Sequence, residues 1–327
     1  MRAIKGPIFL LLCAAVVAWT QASAWAQTFP TKPIRLIVGF APGGPNDIIA
    51  RALAARLTES LAQTVTVENR TGAGGNLAAE LVARAAPDGH TLMLGSTGTN
   101  SVNPALYSKM SFDLVKDLAP VTQVASGSSA LAVHPKVAAR SVRELIALAK
   151  AQPGRLTFAS SGGGSSLHLA GELFKQMAGV DMIHVPYKGA QPAVTDLLSG
   201  QVDMSFAPAT NVVPYARSGK LVLLGVTGPA RSAYVPDVPT IAESGVPGFD
   251  VLTWYGVFAP AGTPDGLLTR LHAEIAKAMQ SAQVREQLLN IGIEVALSAS
   301  PSAFQAYRAG EVEKWGRLVR AAGVKAE

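Results

Sequence analysis

The chain is poor in cysteine and in charge, and both shortages limit what it can do. Cys13 is the single cysteine among 327 residues, and it lies in an apolar stretch near the start of the chain. Disulfide bonds, thiolate catalysis and cysteine-based metal sites are therefore excluded in the rest of the chain. Charged residues make up only 15% of the chain, and its net charge of +6 is dispersed. This composition predicts a mildly basic soluble surface and no nucleic-acid partner.

The sequence also lacks the short motifs of common enzyme classes. It has no P-loop pattern and no G-x-S-x-G nucleophile elbow. Its five histidines never pair at a spacing of three or four residues, so a helical metal site is not expected. These absences predict a protein that is not an enzyme and needs no cofactor or metal. One enzymatic alternative stays open, a secreted hydrolase with Ser160 or Ser165 as nucleophile and His168 or His184 as base.

Long apolar runs are absent except near the start of the chain. Arg2 and Lys5 precede an apolar run over residues 8–18, and Ala24-Trp25-Ala26 is a small-x-small cleavage site. The run is shorter than the roughly 20 residues of a spanning helix. Residues 1–26 are therefore interpreted as a cleavable secretory signal rather than a membrane anchor, which predicts a periplasmic location.

Glycine and serine, by contrast, are concentrated in loops that precede helix-like stretches. The main loops cover residues 41–47, 71–76, 95–100, 160–166, 186–190 and 225–228. A helix start carries free N–H groups and partial positive charge, and glycine permits close approach to the backbone. Several such loops before helix starts, without a set of catalytic residues beside them, favour a protein that binds a small anion.

Apolar runs and helix-like stretches alternate along the chain, which predicts an α/β fold with mostly parallel sheets flanked by helices. Short strands are expected at residues 34–40, 64–68 and 91–94, and two further strands at 121–125 and 129–133, separated by a polar break. The interruption of the strand–helix alternation there predicts two lobes, with the chain crossing twice between them. Lobe 1 is assigned residues 27–125 plus 223–327, and lobe 2 residues 126–222. Ligands of such folds bind beyond the carboxyl ends of the parallel strands, so the glycine- and serine-rich loops should meet in one cleft.

Eight short motifs in a fixed order carry a resemblance to a known family. They are Pro42-Gly43-Gly44-x-x-Asp47, Glu68-Asn69-Arg70-x-Gly72-Ala73-Gly74-Gly75, Pro87-Asp88-Gly89-His90-Thr91-Leu92, Ala159-Ser160-Ser161-Gly162-x-Gly164-Ser165, His184-Val185-Pro186-Tyr187-Lys188-Gly189, Gly200-Gln201-Val202-Asp203-Met204, Pro236-Asp237-Val238-Pro239-Thr240 and Trp254-Tyr255-Gly256-x-Phe258-Ala259-Pro260. In this order the chain resembles the substrate-binding proteins of tripartite tricarboxylate transporters, the TctC or Bug-type extracytoplasmic receptors.

The resemblance implies a two-lobe periplasmic-binding-protein fold of type II character that closes on a small carboxylate. Backbone N–H groups, loop hydroxyls and ordered water would grip that carboxylate. The implied ligands are dicarboxylates, tricarboxylates, acidic amino acids and aromatic acids, and the implied partner of the monomeric receptor is a membrane permease. Presentation of the ligand to a sensor kinase is an alternative that the residues do not separate from transport.

The candidate ligand-binding residues lie in the loops and at strand ends. They are Phe40, Pro42, Gly43, Gly44, Asp47, Ser96, Thr97, Ser160, Ser161, Gly162, Ser165, His168, Tyr187, Lys188 and Asp203. Three of them have an alternative structural role. Asp47 could cap the following helix, His168 could support its loop, and Lys188 could be a solvated loop lysine.

Overall fold

The computed structural model describes residues 29–107, 109–163 and 165–323, and the expected signal segment lies outside them. The strands, in chain order, are β1 (Ile34–Val38), β2 (Val65–Asn69), β3 (Thr91–Ser96), β4 (Leu118–Val133), β5 (Thr157–Ser160), β6 (Ile183–Pro186), β7 (Met204–Pro208), β8 (Val222–Val226), β9 (Leu252–Pro260) and β10 (Ile293–Val295). The helices are α1 (Pro45–Leu61), α2 (Asn76–Ala83), α3 (Asn103–Leu106), α4 (Val142–Ala151), α5 (Ser166–Ala178), α6 (Ala190–Leu198), α7 (Ala209–Arg217), α8 (Asp265–Met279), α9 (Ala282–Leu289) and α10 (Pro301–Ala321), with a 3₁₀ turn at Ala73–Gly75 and a π-helical turn at Gly98–Val102. None of the helices described is both long and apolar enough to cross a membrane.

The first sheet has the strand order β2-β1-β3-β9-β4, and β10 adds to β4. Strands β1, β2 and β3 are parallel, and β9 runs antiparallel to both β3 and β4. Both faces of β1 are covered, which explains its uninterrupted apolar sequence. Leu36 packs in the core formed with α1 and α8, whereas the next residue, Ile37, packs on the opposite face with α2. This alternation is the two-residue period of a strand.

The second sheet contains β4, β7, β5 and β6 in that order, and β8 pairs with β4. Strands β5, β6 and β7 are parallel. Phe158, Phe174 and Phe206 fill the core on the face covered by α4 and α5, and alanine and valine residues of α6 and α7 cover the other face. The α/β fold with two helix-flanked sheets is thus confirmed, but each sheet is mixed rather than mostly parallel, because the strands that pair with β4 all run antiparallel to it.

Strand β4 is continuous through both sheets, so the prediction of two strands at 121–125 and 129–133 is wrong. Gly127 and Ser128 pair with β9, and Ser129 pairs with Pro208 of β7. The small polar residues between the two apolar runs do not interrupt the ladder because their backbone groups still have partners on both sides. The lobe boundaries at residues 125 and 222 stay a prediction. The pairing supports a crossing between Ser128 and Ser129 and groups β8 with the second sheet.

The carboxyl ends of the parallel strands face each other across this crossing. In the first sheet β4 leaves at the edge where β3 ends, because Ser96 and Ala125 pair with the same residue, Tyr255. In the second sheet β4 enters beside Pro208, the last residue of β7. Strand β5 runs parallel to β7 and therefore ends at that same edge. The loops that follow β1, β3, β5 and β7 consequently lie on two facing edges.

Helix α10 packs on both sheets. Phe304, near its start, is buried against Trp254 and Phe258 of the first lobe. Trp315, three turns later, is buried in the core of the second lobe. Between them lies Arg308, which is 1% exposed and donates hydrogen bonds to backbone carbonyls of the first lobe. This one helix therefore has its two ends anchored in different lobes.

Candidate functional site

The first half of the site lies at the carboxyl ends of β1 and β3. Strand β1 is followed along the chain by β2 on one side of it and then by β3 on the other, so the two loops flank a switch in strand order. Open α/β sheets bind their ligands in the crevice at such a point. The backbones approach closely here, since a Cβ added to Gly39 would lie 2.7 Å from the Cα of Gly75. The loop after β1 leads directly into α1.

Asp47 fixes the loop that precedes α1. Its carboxylate accepts hydrogen bonds from the amide of Gly43 (3.0 Å), the side chain of Arg51 (2.9 Å) and the amide group of Asn69 (2.9 Å). The Arg51 hydrogen bond, with those from Gly43 and Asn69, lowers the pKa of Asp47 to about 2 despite its burial. Asp47 is therefore a structural clamp, and its helix is capped by Gly44 without a side-chain hydrogen bond.

Some amides of this loop bond within the protein, and others are left to bind a ligand. Gly43 has a positive φ of 84° and donates its N–H to Asp47, so this N–H group is already used within the loop. Gly44 is the N-cap of α1, and Pro45 follows it as the first helical residue. The amides of Asn46 and Asp47 belong to the first turn, where N–H groups have no partner within the helix. These first-turn amides, rather than the Gly43 amide, are the donors available to an anion.

Asparagine in place of Asp47 is expected to destabilise the protein by about 2 kcal/mol at pH 7. The folded pKa lies below the unfolded value, so the carboxylate stabilises the fold above about pH 4. This contribution is lost as the pH falls towards the folded pKa of about 2. Urea unfolding of both proteins should show a difference in unfolding free energy that is constant from pH 7 to 5 and shrinks below pH 4.

Glu59→Gln provides the matched control on the same helix. Glu59 pairs with Arg56 (2.8 Å), but its side chain is 66% exposed. Exposed pairs contribute between zero and about 1 kcal/mol, so this change should have little effect at any pH. Equal effects of Asp47→Asn and Glu59→Gln would contradict the clamp assigned to Asp47.

The second half of the site is the loop between β5 and α5, which is held by serine hydroxyl groups. The Oγ atom of Ser160 lies 2.7 Å from Nε2 of His184 and accepts a hydrogen bond from the amide of Gly162 (3.2 Å). Ser165 donates its hydroxyl to the Gly162 carbonyl (2.8 Å) and caps α5 by accepting from the amide of His168 (3.2 Å). The Gly162 amide is thus already bonded to Ser160, and the first-turn amides of α5 are the donors left for a ligand.

Two histidines lie directly behind this loop. The rings of His168 and His184 are stacked, with centroids 3.7 Å apart and planes 7° from parallel. Burial lowers the pKa of both rings, and it brings that of His184 to about 4. Both rings are therefore neutral at neutral pH, and the positive potential of this half comes from the helix start.

The structure brings most of the predicted residues to the two facing edges. Ser160, Ser161, Gly162, Ser165 and His168 lie together in and behind the second-lobe loop. In the first lobe the predicted residues of the β1 loop lie beside the start of α1. They are Phe40, whose ring packs partly on the core, Pro42 and Gly43, which are exposed, and Gly44 and Asp47. Whether each contacts a ligand stays a prediction.

Four other candidate ligand-binding residues lie outside the loops that follow β1 and β5. Thr97 is fully buried, and its Oγ accepts from the amide of Trp254 (2.8 Å), so it joins the π-helical turn to β9. Ser96 is 6% exposed and uses its amide to bond Asn100. The hydroxyl of Tyr187 donates to Asp196 (2.7 Å), which together with burial raises the pKa of Tyr187 to about 12. Lys188 is exposed in the loop after β6.

Asp203 lies at the opposite edge of the second sheet. It precedes β7 by one residue and is five positions before Pro208, a span of about 16 Å. Its carboxylate accepts hydrogen bonds from both the amide and the hydroxyl of Thr157 (each 2.9 Å) and pairs with Lys136 (3.1 Å). The prediction that Asp203 belongs to the site is therefore corrected: it joins the starts of β5 and β7.

Two residues that sequence reasoning left out lie beside the loops. Asn46 is 8% exposed in the first turn of α1, and its side-chain nitrogen lacks a hydrogen-bond partner among the described residues. Its position next to Asp47 was the available signal. His184 opens the His-Val-Pro-Tyr-Lys motif on β6, and its ring contacts the loop after β5 through Ser160.

Comparisons with known proteins agree with this architecture. A family model described as "Tripartite tricarboxylate transporter family receptor" matches residues 49–324. Protein BugT of Bordetella pertussis is 38% identical over 309 residues, which are 94% of each chain. The structure of Rpa4515 of R. palustris with adipate is 36% identical, has a TM-score of 0.75, and matches 91% of this chain and 99% of its own. MatC of Rhodopseudomonas palustris with bound malate is 34% identical with a TM-score of 0.71, over 89% and 100% of the two chains.

Proposed function

Because the chain belongs to the tripartite tricarboxylate transporter family of receptors, we propose that it captures a small organic carboxylate between its lobes and delivers it to a membrane permease. The family is one of periplasmic solute-binding receptors and not of enzymes. The observation that supports the proposal is that the loops leading into α1 and α5 follow strands whose carboxyl ends lie on the two facing sheet edges. Each of these helices presents first-turn amides to an anion placed between them.

The charges around the two loops favour a carboxylate held by neutral donors. Arg51 is neutralised by Asp47 (2.9 Å), and the two histidines are uncharged at neutral pH. Hydrogen bonds from amides to an ionised group contribute about 1.5–3 kcal/mol each. Three or four of them supply the roughly −8 kcal/mol of micromolar affinity after the ordering of the loops is subtracted. Only the closed arrangement of the lobes makes all of them together, so ligand binding shifts the population towards it.

The ligand we propose is a dicarboxylate of about four to six carbons. Two similar receptors hold adipate and malate, and both ligands carry a carboxylate at each end. Lys188 is exposed in the loop after β6 and provides a cation for the distal carboxylate. Tricarboxylates, acidic amino acids and aromatic acids define the rest of the panel to be tested.

A thermal-shift screen of the protein against these carboxylates tests the proposal. A ligand at 1,000 times its Kd adds about 4 kcal/mol to the unfolding free energy. For a chain of this size, that corresponds to a rise of roughly 6 °C in Tm. Asp203→Asn is the matched control, because the far-edge carboxylate should affect the Tm of the free protein but not the ligand-induced shift. Absence of any shift across the panel would contradict carboxylate capture.

The contact between Ser160 and His184 favours one alternative, a secreted serine hydrolase. The 2.7 Å separation suits a nucleophile and its base. Against it, Ser160 is 1% exposed and its Oγ also bonds both backbone groups of Gly162. Ester turnover that disappears in Ser160→Ala would favour the hydrolase. Presentation of the same ligand to a sensor kinase, in place of a permease, would leave the binding site as described.

A further inference from the structure

The stacked histidines are joined to the anion loop at both of its ends. His184 on β6 bonds Ser160, and Ser160 in turn accepts from the amide of Gly162. His168 on α5 donates its own amide to Ser165, whose hydroxyl donates to the carbonyl of the same glycine. The two rings then contact each other face to face. The histidine pair and the loop thus form one closed chain of contacts around Gly162.

The surroundings of the pair keep its charge state responsive to a nearby anion. On α5, Glu172 lies 3.8 Å from Nε2 of His168, and Lys175 pairs with that glutamate at 3.2 Å. Strand β5 packs the ring of Phe158 against both histidines. Strand β7 contributes Phe206, which packs on Phe158. Glu172 and Lys175 offset each other, so a ligand carboxylate beyond Ser160 would be the largest change in charge that the pair experiences.

Two stacked imidazolium ions would repel each other strongly, but one can be charged if an anion lies close by. A carboxylate held by the first-turn amides of α5 lies in the same helical turn as His168, whose ring is stacked on that of His184 with centroids 3.7 Å apart. At such a distance and in a partly desolvated site, the negative charge favours the protonated ring. Linkage requires the reverse effect as well, so protonation of the ring must strengthen binding of the anion.

We propose that the His168–His184 pair positions the anion loop through Ser160 and takes up a proton from solvent when the carboxylate binds. The inference rests on the proposed function, because the anion that draws the proton is the captured ligand. No covalent bond changes: one solvent proton adds to an unprotonated ring nitrogen, and Ser160 keeps its contact with the ring. Neither histidine needs to touch the ligand, so both are positioning residues.

His184→Gln separates the two parts of the proposal. The glutamine side chain can place a polar atom near the position of Nε2 and keep the Ser160 contact, but it does not titrate. We expect this variant to bind adipate at pH 7.5 within about three-fold of the wild type. The wild type should bind about five-fold more tightly at pH 5.0 than the variant does. His184→Leu removes the contact altogether and should weaken binding about ten-fold at pH 7.5.

Isothermal titration with adipate and malate at pH 7.5 and 5.0, in two buffers of different ionisation enthalpy, measures affinity and proton uptake together. At pH 5.0 the wild type should take up about 0.7 of a proton more than His184→Gln, the uptake that a five-fold difference in affinity requires, and titration of the ligand itself cancels in that difference. His272→Gln is the matched control, because His272 bonds a backbone carbonyl (Ser298, 2.9 Å) in the first lobe, away from the loop. It should behave as the wild type.

The outcomes distinguish this inference from the proposed function. Equal proton uptake and equal pH dependence in the wild type and His184→Gln overturn the proton coupling. Wild-type affinity in a folded His184→Leu overturns the positioning role, and if that variant does not fold, the contrast between His184→Gln and His272→Gln decides. If no carboxylate of the panel binds the wild type at either pH, the proposed function fails, and this inference fails with it.

Discussion

Replacing Gly44 by aspartate is expected to weaken carboxylate binding by about 100-fold or more while leaving the fold intact. Gly44 has extended backbone angles (φ −79°, ψ 170°), which any residue can adopt. A Cβ added there would have only the carbonyl oxygen of Ala41 as a neighbour, at 3.7 Å. Aspartate is also a favoured N-cap, so its carboxylate would accept from the first-turn amides of α1. The protein would then supply the anion of this half-site itself and repel the ligand.

The expected size follows from the bonds that the ligand loses. Two charge-assisted hydrogen bonds at about 1.5–3 kcal/mol each correspond to a factor of roughly 100 or more in Kd. The unfolding free energy should change by less than about 1 kcal/mol, because a glycine N-cap is only slightly worse than an acidic one. Titration calorimetry measures the affinity, and thermal unfolding of the free protein checks the fold.

Two controls separate charge from shape. Gly44→Ala adds the same Cβ without a cap and should bind within about ten-fold of the wild type. Ser161→Asp places the same charge on the facing edge, and Ser161→Asn is its neutral match. We expect Ser161→Asp to reduce affinity as strongly as Gly44→Asp. Normal binding by both aspartate variants would show that the anion does not lie between these two loops.

Replacing Arg308 by methionine is expected to cause the largest loss of stability, about 3–5 kcal/mol. The guanidinium is buried and donates to four carbonyl oxygens, those of Asn100, Leu114, Val115 and Leu118. It also lies over the ring of Phe258, 5.2 Å from the centroid. Burial lowers the pKa of Arg308 to about 10, so it remains charged at neutral pH. Methionine fills much of the same volume but leaves these carbonyls without a donor.

Calorimetry should show the Tm of Arg308→Met lowered by roughly 5–8 °C, given the size of the chain. Arg308→Lys keeps the charge with fewer donors and should give an intermediate value. The matched surface control on the same helix is Arg317→Met, since Arg317 is 64% exposed and pairs with the exposed Glu313. It should change the unfolding free energy by less than about 0.5 kcal/mol. A similar Tm for Arg308→Met and Arg317→Met would contradict the anchoring role of Arg308.

Local features of the fold could be predicted from the sequence because their causes are local. Ser141 and Ser300 cap α4 and α10, each accepting from the amide three residues later, and serine just before an amphipathic stretch predicts such a cap. Ser141 and Glu144 have the spacing of a capping box, but Glu144 accepts from the amide of Arg140 rather than from that of Ser141. The alternation of apolar runs and amphipathic stretches gave the order of strands and helices, since each depends on a short periodic pattern.

The features that could not be predicted depend on partners distant in sequence. In the sequence Thr97 is a loop residue with a hydroxyl group available for a ligand. In the structure that hydroxyl accepts from the amide of Trp254 on β9, 157 positions away. Asp203 lies in a family motif, but its surroundings are set by Thr157 and Lys136. The continuity of β4 likewise depends on β9 and β10, which supply partners for its small polar residues. A single sequence carries no record of these pairings.

The passage of β4 through both sheets has a mechanical consequence for how this receptor closes. The second connection, after β8, is bonded to the same point, because Thr227 and Ser129 exchange two hydrogen bonds of 2.9 and 3.0 Å. No slack loop exists at that point to absorb a large backbone rotation. A rotation of one lobe against the other would therefore have to twist this shared strand and shift α10 against one of the lobes. We therefore expect the separation of the two facing edges to vary little, so that affinity depends on the length of the ligand.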